Sequence, residues 1–206
     1  MQFANTFFFI AILIMSVVIH EISHGYAAEF FGDNTARRAG RLTLNPLRHL
    51  DMFGSIILPL LLVLAQSPVL FGWAKPVPYT PANLSNRKWG TFSVAIAGVL
   101  ANFFIAVFFG LLLRFLLMKG VFPQAAFIIS SIVLINLGLG IFNLIPIPPL
   151  DGSRILFSLL PESAYPVIIF LERYSLLILL LFIFFLSNWI FPAMAYLYTL
   201  ITGIAL

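Results

Sequence analysis

The chain has 206 residues, 62% of them hydrophobic and only 9% charged, with 23 phenylalanines, a formal charge of +4 and a mean hydropathy of +1.08. Soluble domains carry roughly 25% charged residues, so this balance excludes a soluble globular protein and points to a polytopic membrane protein. With no cysteine, disulfides and thiolate metal sites are excluded, which leaves His and carboxylate as metal ligands; the modest charge, gathered in two loops, does not describe a nucleic-acid groove.

The first hydrophobic segment covers about residues 4–31. Met1 to Phe9 contains no Lys or Arg, and the apolar run continues without a small-residue cleavage site, so it reads as a retained helix rather than a signal peptide. Residues 7–19 carry no charge and lead into His20-Glu21-Ile22-Ser23-His24. Histidines four apart lie on one helix face and can share a Zn²⁺, while Glu21 reaches a water at the same centre. Placing such groups in hydrocarbon costs roughly 2.5–3.5 kcal/mol per charge, so they usually have a task. The alternative is a pair of interfacial histidines with Glu21 facing water.

Residues 32–52 hold Arg37, Arg38, Arg41 and Arg48, and 72–90 hold Lys75, Arg87 and Lys88. Arg41-Leu42-Thr43-Leu44, ended by Asn45-Pro46, reads as a short strand, and His49 as an interfacial loop residue, because a catalytic zinc keeps an open position. Between these loops, segment 53–71 is interrupted by Pro59 and Pro68. Residues 71–79 read as extended, proline-limited backbone. Hydrophobic segments follow at 91–118 and 125–146. Then Asn143-Leu144-Ile145-Pro146-Ile147-Pro148-Pro149-Leu150-Asp151-Gly152 breaks the helix, and Gly152 is expected to permit a turn. Irregular backbone at membrane depth must pack in protein or line a wet cavity. Asp151 is therefore expected beside His20 and His24, although an Asp-Gly pair taken alone is more often an exposed turn. A segment at 174–187 and an apolar tail from Trp189 to Leu206 complete the chain.

If one zinc is shared, the first helix and helix 125–146 run in the same direction, so one of 53–71 and 91–118 returns to its starting side. Segment 53–71 is the expected re-entrant one, since the positive-inside rule puts both basic loops on the cytoplasmic side. That arrangement leaves the N-terminus outside and the site nearer the cytoplasmic face. The whole reads as an all-α polytopic membrane protein, a bundle of about five to six hydrophobic segments with a short interfacial β-hairpin or re-entrant element between the first helix and helix 91–118. It forms one domain, 1–206, with a core of roughly 10–160 and C-terminal membrane segments at 161–206.

Together, His20-Glu21-Ile22-Ser23-His24-Gly25 in the first long helix and Asn143 to Gly152 downstream resemble the site-2 protease family of intramembrane zinc metalloproteases. Ala97-Gly98-Val99-Leu100-Ala101-Asn102 is similar to that family's Ala-Gly-Pro-Leu-Ala-Asn segment. Gly40 to Pro46 and Phe71 to Val77 resemble its compact bacterial and archaeal branch. Val99 departs from the usual Pro, and no PDZ or CBS domain is found. The resemblance implies hydrolysis of a peptide bond in or beside a transmembrane segment of a membrane-protein substrate. It gives one zinc held by His20, His24 and Asp151, Glu21 as the proton-transfer group, and Asn102 and Asn143 as candidates for binding unwound substrate backbone. It also implies a multi-pass protein of a prokaryotic plasma membrane. Two other classes stay open: a small ion, proton or metal transporter using the same His, Glu and Asp, and a non-catalytic membrane protein retaining the metal site.

Overall fold

The structure is a computed structural model that describes residues 2–65, 74–120, 123–185 and 187–206. Its helices are α1 Gln2–Phe30, α2 Thr35–Arg38, α3 Leu58–Leu64, α4 Arg87–Met118, α5 Pro123–Leu144, α6 Asp151–Leu159, α7 Tyr165–Arg173, α8 Ser175–Phe185 and α9 Ile190–Thr202. The protein is all-helical, with no strand among the described residues. Among the described residues, three helices are long and apolar enough to cross a membrane: Thr6–Phe30 within α1, Arg87–Met118 and Ala125–Leu144. A fourth span arises if Glu162–Arg173 and Ser175–Phe185, bent by 70° at their junction, count as one.

Helices α1, α4 and α5 pack together, and their directions follow from the side chains that meet. His20 meets Asn102 while His24 meets Val94, so α4 runs antiparallel to α1. Ser16 meets Asn136, whereas His20 and His24 meet Asp151 beyond the end of α5, so α5 runs parallel to α1. Apolar burial contributes little between helices in lipid, so contact depends on small residues that let backbones approach. Gly140 takes the Phe103 ring in this way: a Cβ there would stand 3.1 Å from ring carbons. Outward, Phe7, Phe104, Phe108, Phe115 and Phe185 are exposed, as befits a lipid-facing surface.

The C-terminal end of α1 and the N-terminal end of α4 lie side by side, where the Ser85 N–H donates to the Phe31 carbonyl at 2.8 Å. Asn86 caps α4 by accepting from Trp89 N–H at 3.0 Å. The described residues between them include α2, short 3-10 turns at Pro46–Arg48 and Pro81–Asn83, and a π-helical turn at Met52–Ile57 leading into α3. Pro59, which has no N–H to donate, is the second residue of α3, directly after the π-helical turn. Pro68 and residues 71–73 of the expected extended stretch lie outside the described residues. The expected strand at Arg41–Leu44 is a series of bends. Side chains occupy the groups a ladder would need: His49 Nε2 bonds the Thr43 carbonyl at 2.9 Å, and the Arg41 guanidinium donates to the carbonyls of Lys75 and Pro76 at 2.7 and 3.2 Å.

Residues 143–152 break the helix as the prolines require. Helix α5 stops at Leu144 and α6 restarts at Asp151. Gly152 is not a turn residue, however. It is helical, and it lacks a side chain because the Leu144 and Ile145 backbone occupies the space a Cβ would fill.

Candidate metal centre

Ten residues short of its C-terminal end, α1 carries His20, and one turn later His24, so both imidazoles point at α4. Each ring has its Nδ1 committed to a carbonyl oxygen, His20 to Asn102 Oδ1 and His24 to the Val94 backbone, both at 2.6 Å. Nδ1–H donation to these acceptors fixes the tautomer and leaves the two Nε2 lone pairs free. Those nitrogens lie 3.0 Å apart. Asp151 Oδ2 stands 3.0 Å from His20 Nε2 and 3.2 Å from His24 Nε2, yet it is buried in a geometry that satisfies no hydrogen bond. Three electron-pair donors thus converge without a proton between them, which is the demand a tetrahedral cation with one open position meets. The residues fit a zinc ion.

Each imidazole is further positioned through neighbours remote in sequence. Asn102 is wholly buried; its Nδ2 donates to Asn136 Oδ1 at 2.8 Å, and Asn136 Nδ2 in turn donates to Ser16 Oγ at 2.9 Å. Expected to meet substrate, Asn102 instead has both ends of its amide committed and is absent from the cavity wall, because its oxygen is the acceptor for His20. Gly98 lets α4 come close enough for this: a Cβ there would lie 2.6 Å from His20 Cε1, His24 Cε1 and His24 Nε2. The sequence singles out neither Asn136 nor Ser16, and it marks Gly98 only as part of the Ala97 to Asn102 segment.

Glu21 flanks the convergent atoms, grouping with His20 and His24 as donors within 4.8 Å of one another. Its Oε2 accepts from Val77 N–H at 2.8 Å, which ties the carboxylate to the strip 74–80. These residues open onto a cavity of about 290 Å³, whose walls include Val77, Tyr79, Phe142, Asn143 and Arg154. Asn143 is in the wall, and its Nδ2 donates back to Leu139 O at 3.0 Å. The Arg154 guanidinium lies over the Tyr79 ring at 5.6 Å. His49 is not part of this cavity wall; it holds the loop, bonding Thr43 and accepting Lys75 N–H on its own carbonyl at 2.8 Å.

Comparison with known families places residues 119–186, which include Asp151, on the model for peptidase family M50. YwhC of Bacillus subtilis, a candidate zinc metalloprotease by name, is 38% identical over 82% of this chain and 76% of its own. Rip2 of Mycolicibacterium smegmatis, named in the same terms, is 31% identical over 68% of this chain and 52% of its own. The zinc metalloprotease MJ0392 of Methanocaldococcus jannaschii is 27% identical over 74% of this chain and 34% of its own. No solved structure matches.

Proposed function

Because the chain belongs to peptidase family M50, the site-2 protease family, it is a multi-pass, zinc-dependent membrane metalloprotease, and we propose how its residues divide that work. His20, His24 and Asp151 hold one Zn²⁺. When bound, the ion supplies polarisation of the scissile carbonyl and acidification of a water. Glu21 takes the proton of the attacking water and delivers it to the leaving amine. Val77 N–H holds the Glu21 carboxylate on the cavity side in readiness for that transfer. Asn102 acts through His20 as a positioning residue, and Asn143, in the cavity wall, is the candidate for hydrogen-bonding substrate backbone.

The observation that carries the assignment is the buried, unsatisfied Asp151 Oδ2 within 3.2 Å of both Nε2 atoms. Neither the transporter nor the non-catalytic reading is favoured, since the similar proteins carry metalloprotease names. The substrate is a membrane protein, cut in or beside a transmembrane helix. The location of the cavity, about ten residues inside the end of α1 and so roughly 15 Å along it, supports this choice. The membrane is the plasma membrane of a prokaryote, a reading supported by bacterial and archaeal relatives. The N-terminus lies outside with α3 re-entrant, and α7 to α9 complete five to six hydrophobic segments. Co-expression with candidate single-span membrane proteins tests the function: zinc-dependent fragments form with the wild type and not with Glu21→Gln. Equal cleavage by both would end the proposal.

A further inference from the structure

A second concavity lies away from the metal centre, in the loops that join α1 to α4. It holds about 480 Å³ and is lined by Arg41, Arg48 and Lys75 with Leu47, Leu50 and Pro76 among its apolar walls. Three cations face one space, and among the described residues no carboxylate forms a salt bridge with any of them. The acids nearby are otherwise engaged: Glu21 bonds Val77, and Asp51 Oδ1 accepts Gly54 N–H at 2.7 Å. Arg41 is only 8% exposed, yet its Nε is buried without a hydrogen-bond partner. Burial lowers the affinity of Arg41 for its proton, Glu21 opposes this from a distance and the Arg48 charge adds to it, so the guanidinium lacks a close counter-anion. A buried donor of this kind calls for an acceptor.

We propose that this pocket binds a phosphate group, carried by an anionic glycerophospholipid. Arginine forks match phosphate oxygens, and a cluster of Lys and Arg beside membrane helices is the kind of site that takes anionic headgroups. A lipid is favoured over free phosphate by the pocket's rim. Leu47 is 72% exposed and Met52 69%, and Phe53 is exposed beside them, so acyl chains have apolar surface to follow next to the headgroup. The ligand would also bear on the neighbouring strip. Arg41 holds the carbonyls of Lys75 and Pro76, and the next residue, Val77, holds Glu21.

The test measures lipid, so it stands or falls apart from peptide cleavage. Purified full-length protein is equilibrated with mixed phosphatidylglycerol and phosphatidylcholine micelles, and bound lipid is counted by native mass spectrometry. Wild type is expected to retain phosphatidylglycerol selectively. Arg48→Gln/Lys75→Gln, which changes two exposed side chains, is expected to reduce that retention on the order of tenfold. Arg87→Gln/Lys88→Gln, which removes the same charge outside the pocket, is expected to leave it unchanged. Equal loss from both pairs would reduce the effect to diffuse charge, and equal retention of the two lipids would remove the headgroup preference; either overturns the proposal. Displacement of the lipid by millimolar inorganic phosphate, with no lipid selectivity remaining, would assign the pocket to the free anion and overturn the lipid as its source.

Discussion

Asp151 Oδ2 meets the two histidine nitrogens at 3.0 and 3.2 Å, so removing any one of the three donors should empty the centre. Metal analysis of purified Asp151→Ala and His24→Ala should find little zinc, whereas Glu21→Gln should keep about one ion per chain and lose cleavage. Full occupancy in Asp151→Ala would refute the ligand set. Positioning residues should give graded effects: Asn102→Ala leaves His20 Nδ1 without its acceptor and is expected to weaken zinc binding by roughly 10–100-fold, read by chelator competition. Gly98→Ala should be at least as harsh, because its methyl would meet both imidazoles at 2.6 Å. The His20, Glu21 and His24 cluster was legible because helix periodicity alone brings i and i+4 together. Asp151 was legible through the prolines before it. Asn136 and Ser16 were not, since their value comes from a contact 120 residues apart in sequence, which no local pattern encodes, and Gly98 was marked by its segment without the close approach to both imidazoles that explains it.

Among the elements, the loops beside α1 are knotted by one carboxylate. Asp33, fully buried, accepts from Thr35 N–H at 3.1 Å and Asn83 Nδ2 at 3.0 Å through Oδ1, and from Thr80 N–H at 2.6 Å through Oδ2. Burial pushes this carboxyl up, but the bonds from Asn83, Thr35 and Thr80 outweigh it and hold the group below the usual carboxylate range. A depressed value means the stabilisation is present above the unfolded-state value of about 3.9 and is lost as pH falls through the folded-state one. Asp33→Ala should therefore destabilise the loops by about 1–3 kcal/mol near neutral pH. Limited proteolysis of residues 74–86 across acid pH should show the gap between wild type and variant closing below about pH 4. The three long helices were readable here from hydropathy to within a few residues, as at 91–118 against Arg87–Met118, whereas the described part of 53–71 holds only a π-helical turn and α3, and the short α6 and α7 gave no hydropathy signal. The strand was misjudged because alternation in Arg41–Leu44 says nothing of Arg41 and His49 taking the backbone partners for themselves.

For the molecule as a whole, the parallel α1 and α5 with antiparallel α4 between them require an even number of crossings from Phe31 to Ser85. Single cysteines at Arg38 and Arg87 should therefore label from one face and a cysteine at Lys119 from the other, with no native thiol to interfere. Labelling of Arg38 and Arg87 from opposite faces would refute the arrangement. The closure at Phe31 and Ser85 carries a separate consequence. Since a backbone bond of 2.8 Å pins both ends of this excursion at one point, its length is largely decoupled from the meeting of His20, His24 and Asp151. Doubling a closed loop costs only about 0.6 kcal/mol in chain entropy. Outside the strip 74–80, which holds Glu21 through Val77 and walls the cavity, the excursion is thus a port for growth, where a lineage could add a whole accessory module and leave the chemistry of the three-helix frame untouched.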